Sequence, residues 1–185
     1  MIITNKSTVF IQFFKKILSI FLITCLFSEY GKNIVQYDEF DWHFIQTKHF
    51  DIYYYGNGEN NVEFVASHAE KAHDKIEKYI GWGLNERSAI IYYNSHNEFQ
   101  QTNVIESYMR EGIGGVTELI KNRMVIPYDG SLKDFSHVIY HELVHVFIND
   151  GMYGGSLQNL MSSNNAVFIP LWMNEGLAEY LAHPW

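Results

Sequence analysis

Thiols are almost missing from this sequence. Of 185 residues one is a cysteine, Cys25, so no intramolecular disulfide framework exists and the fold must hold itself together by packing. Proline is scarce too, at three residues, and no Pro- or Ser-rich tract, low-complexity run or internal repeat marks an interdomain linker or a solenoid. Positive charge is limited: 13 Lys and Arg stand against 21 Asp and Glu. With no basic run, that balance argues against a nucleic-acid partner. No apolar run reaches the ~20 residues of a membrane-spanning helix. The longest, Ile17 to Phe27, follows Lys6, Lys15 and Lys16 and precedes Ser28, the layout of a secretory signal peptide over residues 1–28. No clean small-x-small cleavage site is visible, so an uncleaved N-terminal anchor is the alternative. Thr24 before Cys25 makes a poor lipoprotein signal. Export to the periplasm, cell surface or medium follows from either reading. Cleavage would remove the only thiol. The basic residues after position 28 number 10 and all 21 acids lie there, giving a formal charge of −11.

What the sequence does have is apolar and aromatic content, 47% and 16%, enough for one globular domain over residues 29–185. His49 to Tyr55 has strand propensity and ends at the turn signal Gly56-Asn57-Gly58. From Glu59 to Ile80, Val62, Val65, Ala69, Ala72, Ile76, Tyr79 and Ile80 recur at helical spacing, with Gly81 and Gly83 as the stop. Ala89 to Tyr93 predicts a second strand. Gly115 to Ile120 and Arg123 to Tyr128 predict a hairpin turned at Lys121-Asn122, and Pro127 suits an edge strand. Ser131 and Asp134 form a capping signature for a helix that Gly151 should end. Tyr53 to Tyr55 and Tyr92-Tyr93 read as core and sheet face rather than as a stacking surface for sugars or bases.

Within that last helix stands His141-Glu142-Leu143-Val144-His145. Residues four apart on a helix share a face, so His141 and His145 can both reach one zinc ion. Glu142 projects about 100° further round, where it can flank a water beside the metal without being a ligand. Phe135, Ile139, Leu143 and Val146 fall between about 120° and 200° from His141, and this stripe should face the core. His137 shares the histidine side. It lies about 12 Å along the helix from His145, too far to share a metal with it, and suits the cleft wall. His43, His49, His68, His73, His96 and His183 have no partner at ligand spacing and read as surface or packing residues.

Two histidines leave a catalytic zinc one protein ligand short. The metzincin pattern is ruled out, because Ile148 and Gly151 stand where its Gly and third His would be. Thirty residues past His145, Pro170 to Ala182 reads as a helix with Met173, Leu177 and Leu181 on one side and Glu175 and Glu179 stacked on another. These two segments, His141-Glu-Leu-Val-His145 and Trp172-Met-Asn-Glu-Gly-Leu-Ala-Glu-Tyr180, resemble the gluzincins. The chain looks closest to bacterial secreted peptidases of the MA-like superfamily, where a G-V-T-E…N-R-x-x-x-P segment precedes the zinc helix; here that is Gly115 to Glu118, Asn122, Arg123 and Pro127. The resemblance spans roughly residues 48 to 182. It implies that His141, His145 and Glu175 bind one zinc ion per chain, that Glu142 is the general base and that Glu179 orients a ligand histidine.

An α+β, zincin-like fold is implied: a small mixed sheet with an edge hairpin, packed on the zinc-binding helix, and a second helix carrying the third ligand. The activity implied is zinc-dependent endopeptidase cleavage of a peptide or protein substrate. Gluzincins commonly continue into a helical subdomain supplying an oxyanion-stabilising Tyr or His. Here only ten residues follow Glu175, which suggests a domain truncated at its C-terminal end, with a further domain such as a β-propeller in the whole protein. Tyr140, Tyr180 and His137 are the available substitutes. The competing function class is a zinc-bearing but non-catalytic binding or envelope-assembly module. An acidic structural domain without metal is the third.

Overall fold

The computed structural model describes residues 14–16, 36–104, 112–118, 122–154 and 169–183. The chain divides into two units, Met1–Asn33 and Ile34–Trp185. In the first, residues 14–16 are helical and Phe14 is exposed; the rest of the signal-peptide reading, Cys25 included, lies outside the described residues. Among the described residues no helix is long and apolar enough to cross a membrane.

The second unit is mixed α+β. Its strands are β1 (Trp42–Gln46), β2 (Phe50–Tyr55), β3 (Ser88–Tyr93), β4 (Val116–Thr117) and β5 (Arg123–Pro127), and its helices are α1 (Glu59–Ile80), α2 (His96–Phe99), α3 (Leu132–Tyr153) and α4 (Leu171–Ala182). One five-stranded sheet runs in the order β1-β2-β3-β5-β4. The inner pairs β2–β3 and β3–β5 are parallel, and β1 and β4 add antiparallel edges. Because side chains alternate along a strand, Ile52, Ile90 and Met124 fall in register on one face with Phe50, Tyr92 and Ile126. That face is buried under α1 and α3. Tyr55, Tyr93 and Val125 point the other way and pack with Phe99 of α2.

Helix α1 spans the expected residues. Val62, Val65, Ala69, Ala72 and Ile76 are buried, and Gly81 at φ 89° closes it as a left-handed cap. At the start of α3 the Ser131 hydroxyl accepts from the Asp134 amide. The stripe Phe135, Ile139, Leu143 and Val146 is at most 1% exposed, as its spacing requires.

Three expectations are corrected, and one strand was not anticipated. Gly151 does not end α3, which runs to Tyr153 and is capped by Gly154 at φ 58°. A side chain at Gly151 would strike the indole of Trp82, so this glycine serves close packing. Strand β5 is interior. Pro127 is tolerated because the Tyr128 amide bonds Tyr93 of β3, which by alternation turns the Pro127 nitrogen to the other side, where β4 pairs only Val125 and Met124. Met173 is 49% exposed, and α4 buries Ala178, Leu181 and Ala182 instead. Strand β1 was not legible from its residues. It is an exposed edge whose pairing comes from β2, with Phe44 stacked on Tyr53 and Trp42 edge-on to Tyr55. Tyr55, Tyr92 and Tyr93 are buried as expected.

The hairpin closes where Glu118 N–H donates to Arg123 O, and residues 119–121 of its turn lie outside the described residues. Arg123 grips Glu118 through two bonds of 2.6 and 2.9 Å. Asn122, at φ 48°, sends its amide to buried Asp150, which also accepts from the Asn85 backbone and side chain. These three bonds pin the end of α3 to two loops.

Candidate metal centre

Helix α3 carries His141 and His145 one turn apart, and α4 crosses it so that Glu175 comes down between them. The two Nε2 atoms are 3.2 Å apart; Glu175 Oε2 lies 3.2 Å from His141 Nε2 and 3.6 Å from His145 Nε2. Zinc–ligand bonds of 2.0–2.2 Å in a tetrahedron imply ligand atoms about 3.4 Å apart. All three edges of the observed triangle agree with that within a few tenths of an ångström, so the donors fit zinc. Burial holds the His145 pKa below that of an ordinary histidine, against the pull of Glu175. The ring is therefore kept in the neutral, ligand-competent form.

Helix α4 packs along α3, and α1 anchors its end. Lys75 Nζ donates to the carbonyls of Leu181 (2.7 Å) and His183 (3.0 Å) at the end of α4, satisfying acceptors the helix cannot satisfy itself. Glu179 stands one helical turn beyond Glu175. Its carboxylate lies 3.5 Å from His141 Nδ1 and 3.1 Å from His137 Nε2. Hydrogen bonding to His137 lowers the Glu179 pKa, with both histidines favouring the anion. His141 thus presents Nε2 to Glu175 and Nδ1 to Glu179. His137 meets Glu179 rather than the donor triangle.

Glu142 faces the same cleft from beneath β4 and is 7% exposed. Thr117 Oγ1 is 2.8 Å from Glu142 Oε2 and 3.1 Å from the Glu142 carbonyl. Gly115 lies against it so closely that a Cβ there would sit 2.8 Å from Glu142 Cγ. Burial pushes the Glu142 pKa up to about 7, opposed by the Thr117 bond and reinforced by the charge of Glu175. A carboxylate so tuned can both take and return a proton near neutral pH. The cleft, about 630 Å³, is walled by Ile113 to Thr117 on one side and by Asn149, Asn174 and Glu175 on the other.

Thr117 and Gly115 were named from sequence as part of the strand segment and of the G-V-T-E resemblance, without a role, and Asn174 only as the residue before Glu175. Nothing in their spacing from Glu142 or His145 assigns them a place at the site. Asn174 Oδ1 and His145 Nδ1 are both buried without a partner in standard hydrogen-bond geometry, yet Asn174 still favours the protonated ring as a bonding neighbour. Tyr140 does not line the cleft. Nor does His137, contrary to its expected place in the cleft wall: it and Tyr140 line a separate hollow of about 770 Å³ with Lys71, Lys75 and Lys133. Tyr180 is 52% exposed and also stands outside the cleft lining.

No protein-family model matches the chain, and no curated protein is significantly similar to it. The functional reading therefore rests on the residues and their geometry.

Proposed function

We propose that this chain is an exported zinc metallopeptidase domain of the gluzincin type, with a zincin-like arrangement of sheet, zinc helix and third-ligand helix. His141, His145 and Glu175 hold one Zn²⁺, Glu142 is the general base, and Glu179 orients His141. The observation that carries this reading is the donor triangle with edges of 3.2, 3.2 and 3.6 Å beside a buried, unligated carboxylate. Two of these residues come from one helix turn and the third from 30 residues away. A structural domain without metal offers no reason for that convergence.

Bound at these three donors, zinc supplies Lewis-acid activation of a water and of a peptide carbonyl. The protein's own groups do the rest. Thr117 holds Glu142 Oε2, and the other carboxylate oxygen accepts a proton from the attacking water and passes it to the leaving amine. Glu179, beside Nδ1 of His141, keeps that imidazole presenting Nε2 to the cleft. The substrate is an extended peptide that adds to β4 as a further strand, since among the described residues β4 is paired only with β5. None of His137, Tyr140 and Tyr180 lines the cleft, so the oxyanion-stabilising role falls to none of the three in this chain.

The test combines metal analysis and proteolysis. Wild type should hold zinc at the triangle and cleave an unfolded protein such as reduced casein, losing that activity to a chelator. Glu142→Gln should keep the zinc and lose cleavage by three orders of magnitude or more; Glu175→Ala should lose the zinc. Zinc-replete protein that cleaves nothing would favour a non-catalytic zinc module. Full activity in Glu142→Gln would end the proposed mechanism.

A further inference from the structure

Helix α1 carries a second set of metal-competent donors, well apart in sequence from the cleft residues. His73, Asp74 and Glu77 offer ligand atoms that all lie within 4.8 Å of one another. The His73 side chain is 3% exposed. It is stacked face to face on His49 (centroids 3.6 Å, planes 5° apart) and packed against Phe147. Its Nδ1 is buried and has no hydrogen-bond partner, although it points at two carboxylates. Asp74 Oδ1 is 3.6 Å away and Glu77 Oε2 3.8 Å, both beyond hydrogen-bond reach.

That arrangement is hard to explain by packing alone. A buried ring nitrogen is nearly always satisfied, and here two anionic oxygens approach it without bonding it. Burial also keeps the His73 pKa low, so the ring is neutral, and in its Nε2–H tautomer Nδ1 offers a lone pair to a metal. In that tautomer the lone pair and the two carboxylates repel one another, and a cation between the three donors turns the same arrangement into a ligand set. We propose that His73 Nδ1, Asp74 and Glu77 form a second divalent-metal site of the borderline nitrogen–oxygen class that takes zinc.

The geometry suits that class. The histidine and the glutamate are four residues apart and share a helix face, and the 3.6 and 3.8 Å spacings exceed the tetrahedral edge of about 3.4 Å by only a few tenths. Asp74 and Glu77 side chains are 77% and 49% exposed, so they can close that gap while the buried imidazole stays fixed. Calcium and magnesium take oxygen ligands, and the imidazole nitrogen selects against them. The buried ring is held in place where α1 meets the start of β2: it stacks on His49, whose Nδ1 lies 2.7 Å from Glu70 of α1. The site does not depend on the peptidase reading.

Equilibrium dialysis of the full chain against Zn²⁺, with bound metal counted by elemental analysis, tests it. The proteins are wild type, Glu175→Ala and the double variant Asp74→Asn/Glu77→Gln. Both replaced acids are at the surface, so the double variant should keep its fold, which circular dichroism checks. Two zinc ions per wild-type chain and one in each variant is the expected result. Equal zinc in wild type and the double variant overturns the second site. A single wild-type zinc lost only in the double variant keeps this site and removes the peptidase centre. Nitrogen-15 spectra of the histidine side chains identify the donor: a large zinc-induced shift of His73 Nδ1 is expected, and an unmoved His73 overturns the ligand set.

Discussion

Replacing Gly115 by alanine probes whether the cleft is shaped around Glu142. A Cβ at this position would sit 2.8 Å from Glu142 Cγ, 3.1 Å from Oε1 and 3.2 Å from Cδ. Ordinary carbon–carbon contact begins near 3.5 Å, so the glutamate stem must retreat by about 0.7 Å at Cγ, and by more at the carboxylate it carries. Gly115 is not among the glycines with positive φ, so alanine brings no backbone strain and the whole effect falls on the side chain. A displacement near 1 Å can reduce rate about 100-fold, equivalent to about 2.7 kcal/mol of transition-state stabilisation. Glu142 is not a ligand, so the zinc content should be unchanged. The measurement is kcat/KM on a fluorogenic peptide beside zinc analysis of the same sample. Wild-type activity in Gly115→Ala would refute the assigned place of Glu142. Activity lost together with zinc would show that the strand acts on the metal donors instead.

Three further outcomes are expected. Gly151→Ala should destabilise the protein by about 1 kcal/mol in urea unfolding although alanine favours helix by a similar amount, because its Cβ would lie 2.6 Å from Trp82 Nε1 and overpacking costs about 1–3 kcal/mol; a stabilised variant would contradict the packing of Trp82 on α3. Asp150→Ala strands the three donors of Asn85 and Asn122 and should lower unfolding free energy by about 3 kcal/mol, with a loss under 1 kcal/mol counting against the staple. Metal-free protein should show a pH signature of Glu142. Its folded pKa of about 7 exceeds the ordinary glutamate value of 4.5, so between those pH values the folded state binds more protons than the unfolded one and stability falls as pH rises. The pH 5 to pH 8 loss should be about 3 kcal/mol smaller in Glu142→Gln than in wild type, as read by denaturant titration at the two pH values.

Local periodicity settled what depends on neighbours in sequence. The bounds of α1, the Ser131 cap, the buried stripe of α3 and the sharing of one face by His141 and His145 all follow from a rise and rotation per residue that any helix imposes. Glu175 and Glu179 were legible as a pair on one helix face for the same reason. Their different partners were not: Glu175 meets both Nε2 atoms while Glu179 takes His137 and the far nitrogen of His141, and that division depends on how α4 crosses α3. Strand β1 escaped notice because an exposed edge carries little alternation and owes its existence to β2. Thr117 and Gly115 lie 25 and 27 residues before Glu142, and His73 is an ordinary helical residue until its ring is seen sealed between His49 and Phe147 with Nδ1 facing two carboxylates. Spacing along a chain encodes which side chains share a face. Which faces meet, and therefore which donors converge, is decided only when the core closes.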